Sequence, residues 1–192
     1  MPPLSNQDLG VATNVKRVET LRIRNAELAD VDNVIQIVTR AYRATGDDAG
    51  WTTESHLLDG QRSDPAEVQE IIEDPDSRLL LALDESGALV GCIMVQHQPP
   101  NGAHFGLFAV DPARQGLGTG TFLLNAVEQQ ARDWGCVWLE MVVLNVRADI
   151  KAWYERKGFR PTGKTEEFPY GDERFGNPKR PDLRFDSYRK QL

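Results

Sequence analysis

The chain has 192 residues, 22 Lys and Arg against 29 Asp and Glu, and a formal net charge of -7. That length fills one domain core and is short for two, and the acidic balance argues against nucleic acid or an anionic membrane surface as a partner. It suits a cationic substrate, though solubility alone also explains it.

No apolar run approaches the length needed to span a bilayer, and the start of the chain lacks a signal-like core, so a cytoplasmic protein with no membrane partner is expected. Cys92 and Cys136 lie in predicted strands, far from any His or second Cys at ligand spacing. Buried, reduced thiols and no metal site are therefore expected.

Residues 1–19 mix Pro, Asn, Gln and Asp with isolated apolar residues and show no period. They read as a flexible arm ahead of a single domain over residues 20–192. Residues 20–24 alternate as a half-buried strand, and residues 27–44 follow as a helix with Leu28, Val31, Val34, Ile35, Val38 and Tyr42 on one face. Asn25 is the expected N-cap. Residues 46–50 break the pattern, and a stretch with Trp51, Glu54 and His56 precedes a second helix over residues 65–73. From Arg78 the character changes to sheet. Residues 79–83 and 89–96 form a hairpin about Glu85-Ser86-Gly87, and residues 98–102 turn the chain into a strand over 104–110 that Asp111 and Pro112 stop.

Gln115-Gly116-Leu117-Gly118-Thr119-Gly120 comes next, and Leu117, Gly120, Leu123, Leu124, Val127, Ala131 and Trp134 recur at helical steps. A helix therefore begins inside the glycine run, with Gly135 as its C′ residue. A helix N-terminus exposes unpaired N–H groups and about half a positive charge, which suits a phosphate or pyrophosphate. A tight strand-to-helix turn favours glycine as well. Two phosphate motifs are excluded: no Lys follows for a P-loop, and the G-x-G-x-G spacing is not that of a dinucleotide fingerprint. Residues 136–144 are apolar enough for the middle of a sheet, paired in parallel with the preceding strand through a right-handed crossover. A short helix over 147–157, a strand, a loop over 166–181 rich in Phe, Tyr, Gly and Pro, and a strand over 183–190 complete the chain.

The run V-x-P-x-x-Q-G-x-G-x-G resembles the acetyl-coenzyme A pyrophosphate loop of the GNAT superfamily of N-acetyltransferases, [RQ]-x-x-G-x-[GA]. Gln115, Gly118 and Gly120 occupy its fixed positions, and Val110 and Pro112 match its flanks. The element order is also the one expected of the GNAT fold: an α/β (α+β) domain with a mixed central sheet of about seven strands and about four helices. The likeness runs from Leu21 to the C-terminus, with sharper motifs over residues 108–120 and 140–159. It implies acetyl-CoA as cosubstrate, bound by Phe108, Ala109, Val110, Gln115, Gly116, Leu117, Gly118, Thr119 and Gly120. It implies an amine as the second partner, without metal or nucleic acid, and is compatible with a homodimer.

Acetyl transfer from a thioester to an amine needs a group that accepts the ammonium proton and is helped by one that protonates the departing thiolate. Tyr154-Glu155-Arg156-Lys157-Gly158-Phe159 resembles the family's Y-x-x-x-G-F signature, which makes Tyr154 the expected general acid. Glu140, inside an apolar strand, is the expected base, and Trp138-Leu139-Glu140 resembles the strand of bacterial enzymes that acetylate a ribosomal protein. Alternation could instead place Glu140 on a solvated or ion-paired face, and His104 or a water chain are the other candidate bases. Members usually carry Asn seven residues before the tyrosine, but Arg147 stands here and Asn145 lies nine before it, so either contacts the coenzyme.

Substrate choice is assigned to residues 46–61 and 166–181, where Trp51, Glu54 and Tyr170 offer aromatic faces beside carboxylates that suit an ammonium. Two classes of function follow: an N-acetyltransferase acting by direct attack on a small-molecule or peptide amine, and a non-catalytic acyl-CoA-binding or interaction module that keeps only the loop.

Overall fold

The computed structural model describes residues 20–192. The expected arm over residues 1–19 lies outside the described residues. In chain order the elements are β1 (Arg22–Asn25), α1 (Val31–Arg43), β2 (Leu58–Asp59), α2 (Pro65–Glu73), β3 (Ser77–Leu83), β4 (Leu89–Gln98), β5 (Gly102–Val110), α3 (Thr119–Asp133), β6 (Trp138–Leu144), α4 (Ala148–Arg156), β7 (Arg160–Glu167), β8 (Asn177–Pro178) and β9 (Arg184–Gln191). Seven strands form one sheet in the order β1-β3-β4-β5-β6-β9-β7, and β2 and β8 form a separate two-stranded ribbon. The pairings in the large sheet are antiparallel except β5 with β6.

Helices cover both faces of the sheet. On one, Val34, Ile37, Val38 and Ala41 of α1 and Val68 of α2 pack against Leu79, Leu81, Cys92 and Ala109. On the other, Leu123, Leu124, Val127 and Ala131 of α3, with Tyr154 and Phe159, pack against Ile93, Val95, Phe105 and Leu139. Alternation along β3 to β5 supplies both cores from the same strands, which is why these segments read as nearly continuous apolar runs. Leu57, Leu58, Leu144, Phe168 and Leu183 make a third, smaller cluster. It ties the segment before α2 to the segment after β7, and the β2–β8 ribbon closes the same junction. Residues 46–61 and 166–181, expected as separate loops, are thus joined, and Glu166 and Glu167 belong to β7.

Two local expectations are corrected. Asn25 ends β1 and caps no helix: the Asp30 carboxylate accepts the Glu27 N–H at 2.8 Å and takes both Arg24 nitrogens at 2.6 and 2.8 Å. A short 3₁₀ turn, Leu28–Asp30, therefore precedes α1, and Leu28 is exposed instead of joining the apolar face. Leu117 is likewise exposed, because the helix starts two residues later at Thr119. Gly135 stands in the left-handed region just past α3, at φ +77°, as a C′ glycine does.

The sheet opens where two irregularities meet. In β5 the register against β4 slips, so that Leu107 and Phe108 together face Ile93, and Leu107 carries a φ of +43°. This is a β-bulge, which bends the strand and leaves one residue without a ladder partner. Its neighbour β6 pairs with β5 only from Gly102 with Trp138 to His104 with Glu140. Beyond that point the two strands run on without pairing, to Val110 and Leu144.

Candidate active site

A cleft of about 1020 Å³ occupies the gap. Its walls include residues 105–108 and Val110 of β5, residues 141–144 of β6, Trp153 and Tyr154 of α4, and Gly116, Gly118 and Gly120 of the loop into α3.

The glycine loop meets the requirement for an anion cradle. Gly118 is the N-cap of α3 in the left-handed region, at φ +96°, with no side chain to cap the helix. The first-turn amides of Thr119, Gly120 and Thr121 therefore have no acceptor inside the helix. A Cβ built on Gly116 or Gly118 would meet nothing within 4 Å, so both backbones face open space. Those features fit a pyrophosphate at this helix start. Of the other residues assigned to the coenzyme, Phe108 and Val110 border the cleft, whereas Ala109 is buried in the sheet, Leu117 faces solvent and Thr119 is buried with its hydroxyl near the Arg114 carbonyl.

Gln115, Arg147 and Asn145 are committed to protein partners. Gln115 accepts the Trp51 N–H at 2.6 Å and donates to the Thr52 hydroxyl and the Val110 carbonyl. Arg147, 5% exposed, donates to the carbonyls of Trp51, Thr52 and Thr53 and pairs with Asp149. Asn145 bonds the Asp182 carbonyl and the Arg184 N–H and does not border the cleft. Two residues assigned to the coenzyme thus fasten one segment, residues 51–53, that was assigned to the acceptor. No sequence motif signals that link, because the partners are mainly backbone groups about 60 and 95 residues away.

Tyr154 is 6% exposed and packed edge-on by Phe159 and Trp153, with Phe105 at 5.9 Å. Its hydroxyl makes no hydrogen bond to any described residue, while its ring borders the cleft. Burial raises its pKa well above 10, so the phenol stays protonated at neutral pH.

Glu140 is placed differently from the expectation that it faces the cleft. It is not a cleft residue; its carboxylate takes the Arg189 guanidinium at 2.7 and 2.5 Å, and Arg189 lies over the Trp138 ring at 4.2 Å. Register sets His104, Glu140 and Arg189 side by side across β5, β6 and β9. His104 does border the cleft, with Nε2 against Gly106. Burial lowers its pKa from 6.5, and the charges of Glu166 and Glu140 oppose that shift. A neutral imidazole near two carboxylates thus faces the gap, and the carboxylates of Glu54, Glu67, Asp149 and Glu166 line the same cleft.

Trp51 and Glu54 border the cleft, Trp51 lying 6.4 Å from Trp153 and Glu54 paired with Arg43 at 3.5 Å. Tyr170 does not: its hydroxyl accepts the Leu183 N–H at 2.7 Å and faces the Arg180 carbonyl, which braces the loop. Sequence reasoning assigned no role in the site to Tyr42, Arg62 or Met94, which border the cleft, whereas Glu166, Phe168 and Phe175 border it from the segment assigned to substrate choice. Tyr42 was read as a core residue, yet its hydroxyl donates to the Phe108 carbonyl at the bulge, 2.7 Å away, and burial pushes its pKa up to about 12.

Residues 38–159 match the model of the acetyltransferase (GNAT) family. The chain belongs to the GNAT family. Among solved structures, the GNAT fold recurs in the ribosomal-protein-S18-alanine N-acetyltransferase of Escherichia coli, with a TM-score of 0.66 and 16% identity over 90% of this chain and 94% of that one. Ard1 from Thermoplasma volcanium gives a TM-score of 0.66 and 16% identity, covering 90% and 97%. A curated relative, the uncharacterized protein YdhI of Bacillus subtilis strain 168, is 28% identical over 79 residues, 41% of this chain and 48% of that protein. The aligned part is thus about half the length of that relative.

Proposed function

We propose that the protein is an acetyl-CoA-dependent N-acetyltransferase acting on a primary amine by direct attack in a ternary complex. The observation that carries this reading is Tyr154: a protonated phenol with no hydrogen-bond partner among the described residues, borne on the wall of the cleft that the glycine loop also lines. A module that only bound acyl-CoA would have no use for an unsatisfied hydroxyl there.

In this account the amides at residues 116–121 hold the pyrophosphate and the gap between β5 and β6 takes the pantetheine arm, bringing the thioester to the bulge. His104 accepts a proton from the ammonium, directly or through water. The free amine attacks the thioester carbonyl, the C–N bond forms and the C–S bond breaks. The Tyr154 hydroxyl gives its proton to the leaving thiolate and recovers one from solvent or product. Glu140 and Glu166 act behind the base by favouring the imidazolium that forms.

Tyr154→Phe keeps the ring packing and removes only the acid. We expect kcat for amine acetylation to fall roughly 10- to 1,000-fold with acetyl-CoA affinity little changed. A variant at full rate would mean the thiolate leaves without this residue.

A further inference from the structure

The acceptor end of the cleft holds a cation with no carboxylate partner among the described residues. Arg62, which precedes α2, borders the cleft and a smaller adjoining pocket of about 180 Å³, and is half-buried. Its guanidinium lies 5.1 Å from the centre of the Tyr42 ring and makes no hydrogen bond or ion pair with any described residue. Of the carboxylates around it, Glu54 pairs with Arg43, Glu67 accepts from the Ser63 hydroxyl at 2.7 Å, and Asp64 accepts the Glu67 N–H as the cap of α2; Glu70 of the small pocket and Glu166 of the cleft wall make no ion pair with it. Arg174, which also lines the small pocket, is tied to Asp172.

A guanidinium half removed from water gains most from a planar oxyanion that it can grip with two N–H groups. Tyr42 fixes where such a group would sit, because the ring beneath Arg62 is also the one whose hydroxyl bonds to the bulge. An acceptor reaching from the bulge to Arg62 carries its amine and its anion a few bonds apart. Leu58, Met94, Phe168, Phe175 and Phe185 supply apolar wall, and Glu54, Glu67 and Glu166 also border the cleft.

Resting on the acetyltransferase reading above, we infer that the acceptor is a small amino carboxylate with an apolar body, its carboxylate held by Arg62. Discrimination is then set by a charge pair at the acceptor end, and a plain alkylamine or polyamine is a poor ligand.

The test compares acceptors that differ only in the carboxylate: phenylalanine against phenethylamine, methionine against its decarboxylated amine, and a γ-amino acid against propylamine. Binding to the intact protein is read by calorimetry, and thiol release from acetyl-CoA is read in parallel. At least one carboxylate-bearing member is expected to bind about tenfold or more tightly than its partner, and Arg62→Met to reduce that preference to within about threefold. Arg62→Lys should retain part of it. Because the Arg62 head makes no hydrogen bond or ion pair with any described residue, the fold of each variant is expected to persist and is checked by circular dichroism. Equal binding within every pair, or a preference that survives Arg62→Met, overturns the anion site whatever the thiol assay gives. Arg62-dependent binding without thiol release upholds the anion site and counts against the acetyltransferase reading alone.

Discussion

At the level of single residues the candidate chemistry rests on a buried and a half-buried side chain whose protonation the fold biases. Burial keeps Tyr154 protonated and keeps His104 neutral, which are the states an acid and a base need before the reaction. The pH dependence follows with its sign. The His104 pKa is lowered from 6.5, so kcat/KM should be level above about 6.5 and fall only as pH drops through the lowered value. His104→Ala should remove that acid limb and cost roughly 10²- to 10⁴-fold at neutral pH. Glu140→Gln takes away one of the charges that raise the His104 pKa, so the limb should move to lower pH and persist. A limb that vanishes in Glu140→Gln and survives in His104→Ala would return the base to Glu140. The sequence could nominate both residues but not choose between them. The choice depends on Arg189, a partner from the last strand, and on a register that alternation within one strand does not reveal.

At the level of elements, the strand–glycine loop–helix unit was legible because its physics is local. A proline stop, three alternate glycines and a helical apolar stripe are read within one stretch of chain. Gly118→Asp tests the cradle: it puts a side chain and a negative charge into the open space ahead of α3, at a φ of +96°. Acetyl-CoA affinity by calorimetry should weaken about tenfold or more while the circular dichroism spectrum is kept. Unchanged affinity would place the pyrophosphate elsewhere. The fastening of residues 51–53 was not legible, since Gln115 and Arg147 reach it through backbone carbonyls and amides that any sequence would offer. Arg147→Ala leaves those carbonyls without their donor and should cost about 1–3 kcal/mol in urea denaturation, with KM for the acceptor raised because Trp51 and Glu54 lose their anchor. Loss of stability with an unchanged KM would confine Arg147 to a purely structural role.

On the scale of the whole molecule, the bulge in β5 and the early end of β5–β6 pairing open the sheet near its middle, and the joined segments at residues 46–61 and 166–181 border one end of the opening. The fold class and strand sequence were readable from periodicity and resemblance. The β2–β8 ribbon was not, because each strand has two residues and its partners are more than 100 positions apart. If coenzyme bridges the parted strands, it binds only the folded chain, and acetyl-CoA at about 100 times its Kd should raise Tm by roughly 5–10 °C. An unmoved Tm at saturation would argue that the cleft does not take it. The most direct measurement is steady-state release of coenzyme A thiol from acetyl-CoA, with and without a panel of amines and amino acids, alongside mass spectrometry of the acceptor. The account predicts release that depends on an acceptor, an acetylated product, and loss of both in His104→Ala. Tight acetyl-CoA binding with no acceptor-dependent release across the panel would contradict it and leave a binding module on the GNAT fold.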